Sequence, residues 1–299
     1  MIDVGTNSTR LLVADVAGGR VSPLERRSTV TRLGRGVDLS GHLSSEAIED
    51  VCAAIGGYVE TIGELGAETV DAIATSAVRD ADNGSAFVAE LRERFALSAR
   101  VLDGAEEARS TYLGATSEAP PDEPTLVVDI GGGSTEMVVG TGSEISFHDS
   151  LQAGVVRHSE RYIASDPPTA SELEALATDV RGLIESSVGS GVEARHGIAV
   201  AGTPTSLAAV EIELEPYDPT RVHGHVLALP SIQRMLSRLA SAPLAERVEI
   251  PGLHPDRAPT IVAGVVILVE TMRAFGLEQI TVSEHDILYG TAISAADRY

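Results

Sequence analysis

A segment that occurs twice sets the strongest limit on what this chain can fold into. Residues 3–16 read DVGTNSTRLLVADV and residues 129–142 read DIGGGSTEMVVGTG. Aligned without gaps, Asp3 falls on Asp129, Gly5 on Gly131, Ser8 on Ser134, Thr9 on Thr135 and Val13 on Val139. In each copy an Asp closes an apolar run, a turn of small and polar residues follows, and an apolar run returns, which predicts a β-hairpin. Such a turn presents backbone N–H groups and hydroxyls to phosphate oxygens. The Asp at its base is suited to holding the Mg²⁺ that accompanies them. Two copies predict two similar halves facing a shared phosphate site.

The elements around the hairpins alternate. In the first half, strands are expected at 1–3, 10–16, 20–30, 70–75 and 100–102, with helices at about 45–65, 85–95 and 104–116. Ser44 and Ser45 cap the first helix, with Glu46 in its first turn. Residues 117–125, SEAPPDEPT, form the clearest linker. The second half repeats the order: strands at 125–129, 136–140, 144–151, 197–201 and 279–283, and helices at about 155–164, 169–188, 231–240, 257–275 and from 286, with another after AGTPTS. A second correspondence supports duplication. IATSAVRDA at 73–81 and VAGTPTSLA at 200–208 both read as strand, polar turn, helix. Strands alternating with helices after an initial meander predict α/β domains with mixed sheets. Asp3 lies so close to Met1 that several residues of a first strand ending there are expected upstream.

Composition excludes several classes. The chain of 299 residues carries a formal net charge of −22, and all of its 22 basic residues are arginine. That balance argues against nonspecific nucleic-acid binding, which needs a basic face. A polyanionic substrate would have to be met by local arginines. No apolar run reaches the ~18 residues of a membrane span, and no basic n-region marks a signal peptide. The single cysteine, Cys52, rules out disulfides within the chain and fits a cytoplasmic setting. It falls at helical spacing with Ile48, Val51, Ile55 and Val59, as a small core hydrophobe does.

The sharpest chemical signal is Asp129 through Glu136. Three consecutive glycines, Gly131, Gly132 and Gly133, let the backbone approach an anion closely. Ser134 and Thr135 add hydroxyls, and both flanking carboxylates reach the same pocket. Glu106 and Glu107 open the helix after Gly104; they complement the helix dipole or one of them activates water, and both readings stand. Arg79 either clamps a phosphate or pairs at the surface with Asp80 or Asp82. His223 and His225, alternating in VHGHV, lack a third ligand cluster that would make a zinc site. They are expected in a strand or loop.

At these residues the chain resembles the exopolyphosphatase/guanosine pentaphosphate phosphohydrolase family, within the superfamily of actin-like ATPases and sugar kinases. The matching motifs are DVGTNS from Asp3, ATSAVR from Ala74, GAEEAR from Gly104, DIGGGSTE from Asp129 and GTPTS from Gly202. The resemblance implies two ribonuclease-H-like domains, 1–119 and 120–299, with mixed sheets flanked by helices and an interdomain active-site cleft. The helix at about 286–299 is expected to pack on the first domain. Glu107, the second of the pair, would orient or deprotonate water. Asp129 and Glu136, joined by Asp3, would hold Mg²⁺ or Mn²⁺. Thr6, Asn7, Ser8, the turn 131–135, Gly202 and Thr203 would bind phosphoryl groups, Arg79 would neutralise the transferred group, and Arg257 would contribute more weakly.

The implied activity is hydrolysis of terminal phosphoanhydride bonds of inorganic polyphosphate, in a cytoplasmic homodimer. Longer members of the family carry a further helical region, so short or medium chains are the expected substrate. The 5′-terminal phosphate of guanosine pentaphosphate is the nearest alternative, which would tie the protein to the stringent response. A nucleotide needs a stacking pocket, and six Tyr, four Phe and no Trp leave that open. A kinase of the same superfamily and a non-catalytic sensor of polyphosphate or guanosine penta- or tetraphosphate are the other readings.

Overall fold

The structure, a computed structural model, describes residues 1–189, 191–296 and 298. The first elements are β1 (Ile2–Val4), β2 (Ser8–Ala17), β3 (Arg20–Val30), α1 (Val37–Ser40), α2 (Ser45–Glu64), β4 (Ala72–Ala74), α3 (Ser76–Asp80), α4 (Gly84–Phe95), β5 (Ala99–Val101) and α5 (Gly104–Ala115). There follow β6 (Thr125–Ile130), β7 (Thr135–Thr141), β8 (Glu144–Leu151), α6 (Val155–Tyr162), α7 (Ala170–Ser187), β9 (His196–Val200), α8 (Gly202–Glu211), α9 (Pro219–Val222), β10 (Val226–Ala228), α10 (Leu229–Ser241), α11 (Leu244–Arg247), a 3₁₀ turn (Pro255–Arg257), α12 (Ile261–Ala274), β11 (Gln279–Val282) and α13 (Ile287–Ala296). The chain divides into two compact units, one of Met1–Glu118 with Ile287–Tyr299 and one of Ala119–Asp286.

The first unit is built on a sheet in the order β3-β2-β1-β4-β5, the second on a sheet in the order β10-β11-β9-β6-β7-β8. Set side by side, β1, β2, β3 and β4 correspond to β6, β7, β8 and β9: an antiparallel meander, then a parallel neighbour on the other side of its first strand. The hairpins close in the same way. Gly5 N–H donates to Ser8 O at 3.1 Å, and Gly131 N–H to Ser134 O at 3.0 Å. The duplication seen in the letters is therefore a duplication of hydrogen-bond pattern.

Strand alternation sorts each sheet's core. In the first unit Ile2, Val4, Leu11 and Val13 meet Val51, Cys52 and Ile55 of α2 and Phe87 and Leu91 of α4 on one face. On the other, Leu12 packs with Leu288, Tyr289 and Ala292 of α13, and Ile73 and Leu102 with Ile287. Each such aliphatic side chain contributes about 1.5–3 kcal/mol on burial. The α13–α5 contact is close enough that a Cβ on Gly290 would lie 1.8 Å from Ser110 O. In the second unit the central helix is α12, buried from Ile261 through Met272. Caps set the helix starts: Ser44 Oγ accepts from Ala47 N–H at α2, and the capping boxes Asp103/Glu106 and Thr169/Glu172 open α5 and α7.

Some expected elements differ. Thr75–Val78, read as a turn, mostly forms the start of α3, because Thr75 O accepts from Val78 and Arg79 N–H. The long helix begins at Ile261 rather than at 257, since Pro255 and His254 fold the preceding residues into a 3₁₀ turn. VHGHV holds the end of α9 and the start of β10, with His223 as the C-cap of α9. No described helix is long and apolar enough to cross a membrane.

Candidate active site

In the first unit the turn Gly5–Ser8 joins β1 to β2. Thr6 is committed to the framework: its Oγ1 lies 2.8 Å from Ser76 Oγ and accepts from Ala77 N–H at 3.1 Å, fastening the turn to the start of α3. The loop after β3 braces it from the other side. Asn7 O accepts from Thr31 and Arg32 N–H, and Thr6 O from Gly34 N–H. A Cβ on Gly34 would fall 2.2 Å from Thr6 Cγ2. What remains is pointed chemistry: Asn7 Nδ2 and Ser8 Oγ are buried with no hydrogen-bond partner among the described residues. Buried donors left in that condition call for an acceptor from outside the chain, and a phosphate oxygen fits.

The two adjacent glutamates take different roles. Glu106 is exposed, completes the α5 capping box and pairs with Arg100. Glu107 is buried at 6% exposure, and its Oε2 accepts from Arg79 Nη1 at 3.0 Å. The same Nη1 donates to Leu102 O at 2.9 Å. Arg79 is thus held at the end of β5 and over α5, while Asp80 lies at 3.9 Å and Asp82 pairs with His42. The dipole reading belongs to Glu106, and Glu107 is the carboxylate held next to an arginine.

In the second unit the glycine turn rests on the N-terminus of α6. Val155 N–H donates to Gly131 O and Val156 N–H to Gly132 O, each at 2.9 Å, and Arg157 Nε to Gly133 O at 2.8 Å. Ser134 and Thr135 are buried, but the Thr135 hydroxyl is spent on Ala153 O at 2.5 Å. The start of α8 is close by: a Cβ on Gly264 would meet Thr203 Oγ1 at 2.3 Å and Val155 Cγ1 at 2.9 Å. A Cβ on Gly202 would meet Arg257 Nη1 at 1.4 Å. The Arg257 guanidinium therefore lies beside the start of α8, where a positive charge and a helix N-terminus both favour an anion. Gly131–Thr135, Gly202, Thr203 and Arg257 therefore form one neighbourhood.

Register distinguishes the two hairpins. Asp129 stands directly opposite Glu136, and Asp3 directly opposite Arg10. Opposed residues leave the same face of a sheet. In the first hairpin Arg10 Nε and Nη2 both reach Asp3 Oδ2, at 2.9 and 2.6 Å, a pair of opposite charge. In the second, two buried carboxylates share a face, with Glu136 Oε1 accepting from Ser150 Oγ at 2.8 Å. Like charges so placed are unfavourable unless a cation shares them. Two hard carboxylates are a donor set for Mg²⁺, so Asp129 and Glu136 fit the ion, while Asp3 carries the Arg10 guanidinium on its Oδ2.

A profile of the Ppx/GppA phosphatase family matches residues 12–297. The chain belongs to the Ppx/GppA phosphatase family. It is 37% identical to Exopolyphosphatase 2 of Mycobacterium tuberculosis, over 99% of this chain and 97% of that protein. A crystal structure of the Aquifex aeolicus Ppx/GppA family member superposes with a TM-score of 0.84 at 31% identity, covering 99% of this chain and 96% of the other. The exopolyphosphatase of Cytophaga hutchinsonii superposes with a TM-score of 0.91 at 25% identity, covering 99% and 97%. The two-sheet α/β architecture is thus that of solved Ppx/GppA structures.

Several residues of this Ppx/GppA site escaped the sequence reading. Arg10 was legible in principle, since the repeat offset places it on Glu136. Gly34, Ser76, Gly154 and Arg157 were not, because each reaches a turn from elsewhere in the chain, and Ser150 was not, because it reaches Glu136 across the β7–β8 pair.

Proposed function

We propose that the protein is an exopolyphosphatase that hydrolyses the terminal phosphoanhydride bond of short to medium inorganic polyphosphate, releasing orthophosphate. The observation that carries this reading is Glu107, a buried carboxylate held 3.0 Å from Arg79 at the first turn of α5. It is supported by the family and by the name of the Mycobacterium tuberculosis relative. Glu107 orients the attacking water and takes its proton as the new P–O bond forms and the anhydride P–O bond breaks. Arg79 turns from Glu107 toward the phosphoryl oxygens as charge spreads over them. Asn7 and Ser8, and separately the Gly131–Ser134 turn with Gly202, Thr203 and Arg257, hold phosphoryl oxygens by N–H and O–H donation. Asp129 and Glu136 would hold Mg²⁺, which when bound neutralises phosphate charge. In this reading the protein works in the cytoplasm as a homodimer.

The test is orthophosphate release with Mg²⁺ from polyphosphates of graded length, beside guanosine pentaphosphate and ATP, with wild type and Glu107→Gln. Release from polyphosphate, lowered by about 10²–10⁴ in the variant with substrate binding retained, is the expected result. Release mainly from guanosine pentaphosphate would make the protein an alarmone phosphatase. Near-normal turnover by the variant would overturn the role of Glu107.

A further inference from the structure

We propose that His158 is a positioning residue for the glycine-rich turn, acting through Gly154 at the start of α6. The inference rests on the reading above that Gly131–Ser134 holds the reacting phosphate, and it assigns a task to a group that reading leaves idle. His158 is fully buried, and both of its ring nitrogens are engaged. Nδ1 accepts from Gly154 N–H at 3.3 Å, and Nε2 lies 3.1 Å from Asp179 Oδ2 on α7. A nitrogen that accepts from a backbone N–H carries no proton, so the ring is the neutral tautomer with its proton on Nε2, donated to Asp179. The pattern is that of a carboxylate orienting a histidine through one nitrogen while the other does the positioning.

What His158 holds is the base of the turn. From Val155 onward the backbone of α6 donates to Gly131 O and Gly132 O, and a Cβ on Gly154 would lie 2.3 Å from Gly132 O. The Gly154 N–H, one residue before those donors, is itself buried, and the ring is its partner. Remove that acceptor and the N–H must find another by shifting. Because Gly154 touches the turn with no intervening side chain, the shift passes directly to Gly132 and Gly133. The fully buried polar ring at this position is explained by the bond it makes to the backbone beneath the turn.

Three variants separate positioning from packing. His158→Asn places an amide oxygen near Nδ1 and keeps an acceptor for Gly154. His158→Gln reaches toward Asp179 but withdraws that acceptor. His158→Leu fills the space and keeps neither. Steady-state phosphate release from polyphosphate gives kcat and KM, and hydrogen exchange of the peptides spanning 129–136 and 153–158 reports the turn directly. The expected result is a kcat about tenfold lower in the Leu and Gln variants, with KM within about twofold, and recovery in the Asn variant. Exchange of the turn amides should quicken in Leu and Gln and return in Asn. Equal kcat in all four proteins, an Asn variant as impaired as Leu, or unchanged exchange would each overturn the proposal. A wild type that releases no phosphate would instead defeat the functional reading, and exchange would still decide what His158 does.

Discussion

Replacing Gly154 by Ala isolates the closeness of one backbone approach. Gly154 has φ −139 and ψ 158, an extended conformation that alanine adopts freely, so the change carries no backbone strain of its own. Its cost is steric. The added Cβ would sit 2.3 Å from Gly132 O and 2.4 Å from the carbonyl carbons of both Gly132 and Gly133. Ordinary contact begins near 3.4 Å, so the α6 start and the turn must separate by about 1 Å, since neither is a flexible side-chain end. Overpacking of this kind costs about 1–3 kcal/mol, which lowers the melting temperature of a unit of this size by about 2–4 °C per kcal/mol. A displacement of about 1 Å at a site that positions reacting atoms costs on the order of 10² in kcat/KM. Calorimetry and phosphate release on one preparation check both. If the variant melts lower but turns over like wild type, the turn does not hold the reacting group. If its melting temperature is unchanged, the close approach itself is refuted.

Other outcomes follow from separate features. Ala201 stands at φ 71 and ψ −169, a region suited to glycine. Ala201→Gly is therefore expected to stabilise by about 1 kcal/mol, read from the urea midpoint, and a destabilised variant would deny the strain. Arg247, nearly fully buried, donates to the carbonyls of Leu239, Ala242 and Ala258. Arg247→Met strands three acceptors and should cost about 3 kcal/mol or more in the same assay. Burial holds His158 below its ordinary value of 6.5, against the opposing pull of Asp179 and with Arg161 and Arg157 adding to the depression. The unfolded chain then takes up a proton that the folded chain refuses. The stability from this site is complete above about pH 6.5 and declines as pH falls from there toward the lower folded value. Melting temperatures at pH 7.5 and 5.5 should show a smaller fall in His158→Leu than in wild type.

Much of this was legible because the duplication is written in residues that a hairpin turn requires. Asp, Gly and Ser recur at one offset, and the structure returns the same meander and the same Gly-to-Ser bond in each copy. Helices were also expected over α5 and α7, and the structure opens both with capping boxes. What periodicity could not separate was Glu106 from Glu107, since both suit a first helical turn. The resemblance names Glu107, and in the structure burial, the capping box and the arginine approaching from α3 tell the two apart. The supports of the turns, Ser76 beneath Thr6 and Gly154 beneath Gly132, were hidden for the same reason: they are glycine and serine positions whose value lies in a neighbour far along the chain. The short helices α9 and α11 were missed because a single turn has no period to read.

The first unit is assembled from residues 1–118 and 287–299, with the whole of the second unit lying between them in the chain. During synthesis this order imposes a delay. The face of the first sheet that carries Leu12, Ile73 and Leu102 has no α13 to cover it until the second unit has been made. At ~5–20 residues per second that interval is on the order of ten to thirty seconds. Throughout it the nascent chain holds a growing second unit and a first one lacking its lid. An aliphatic stripe waiting that long for its partner is a surface on which chaperones or other nascent chains compete with α13.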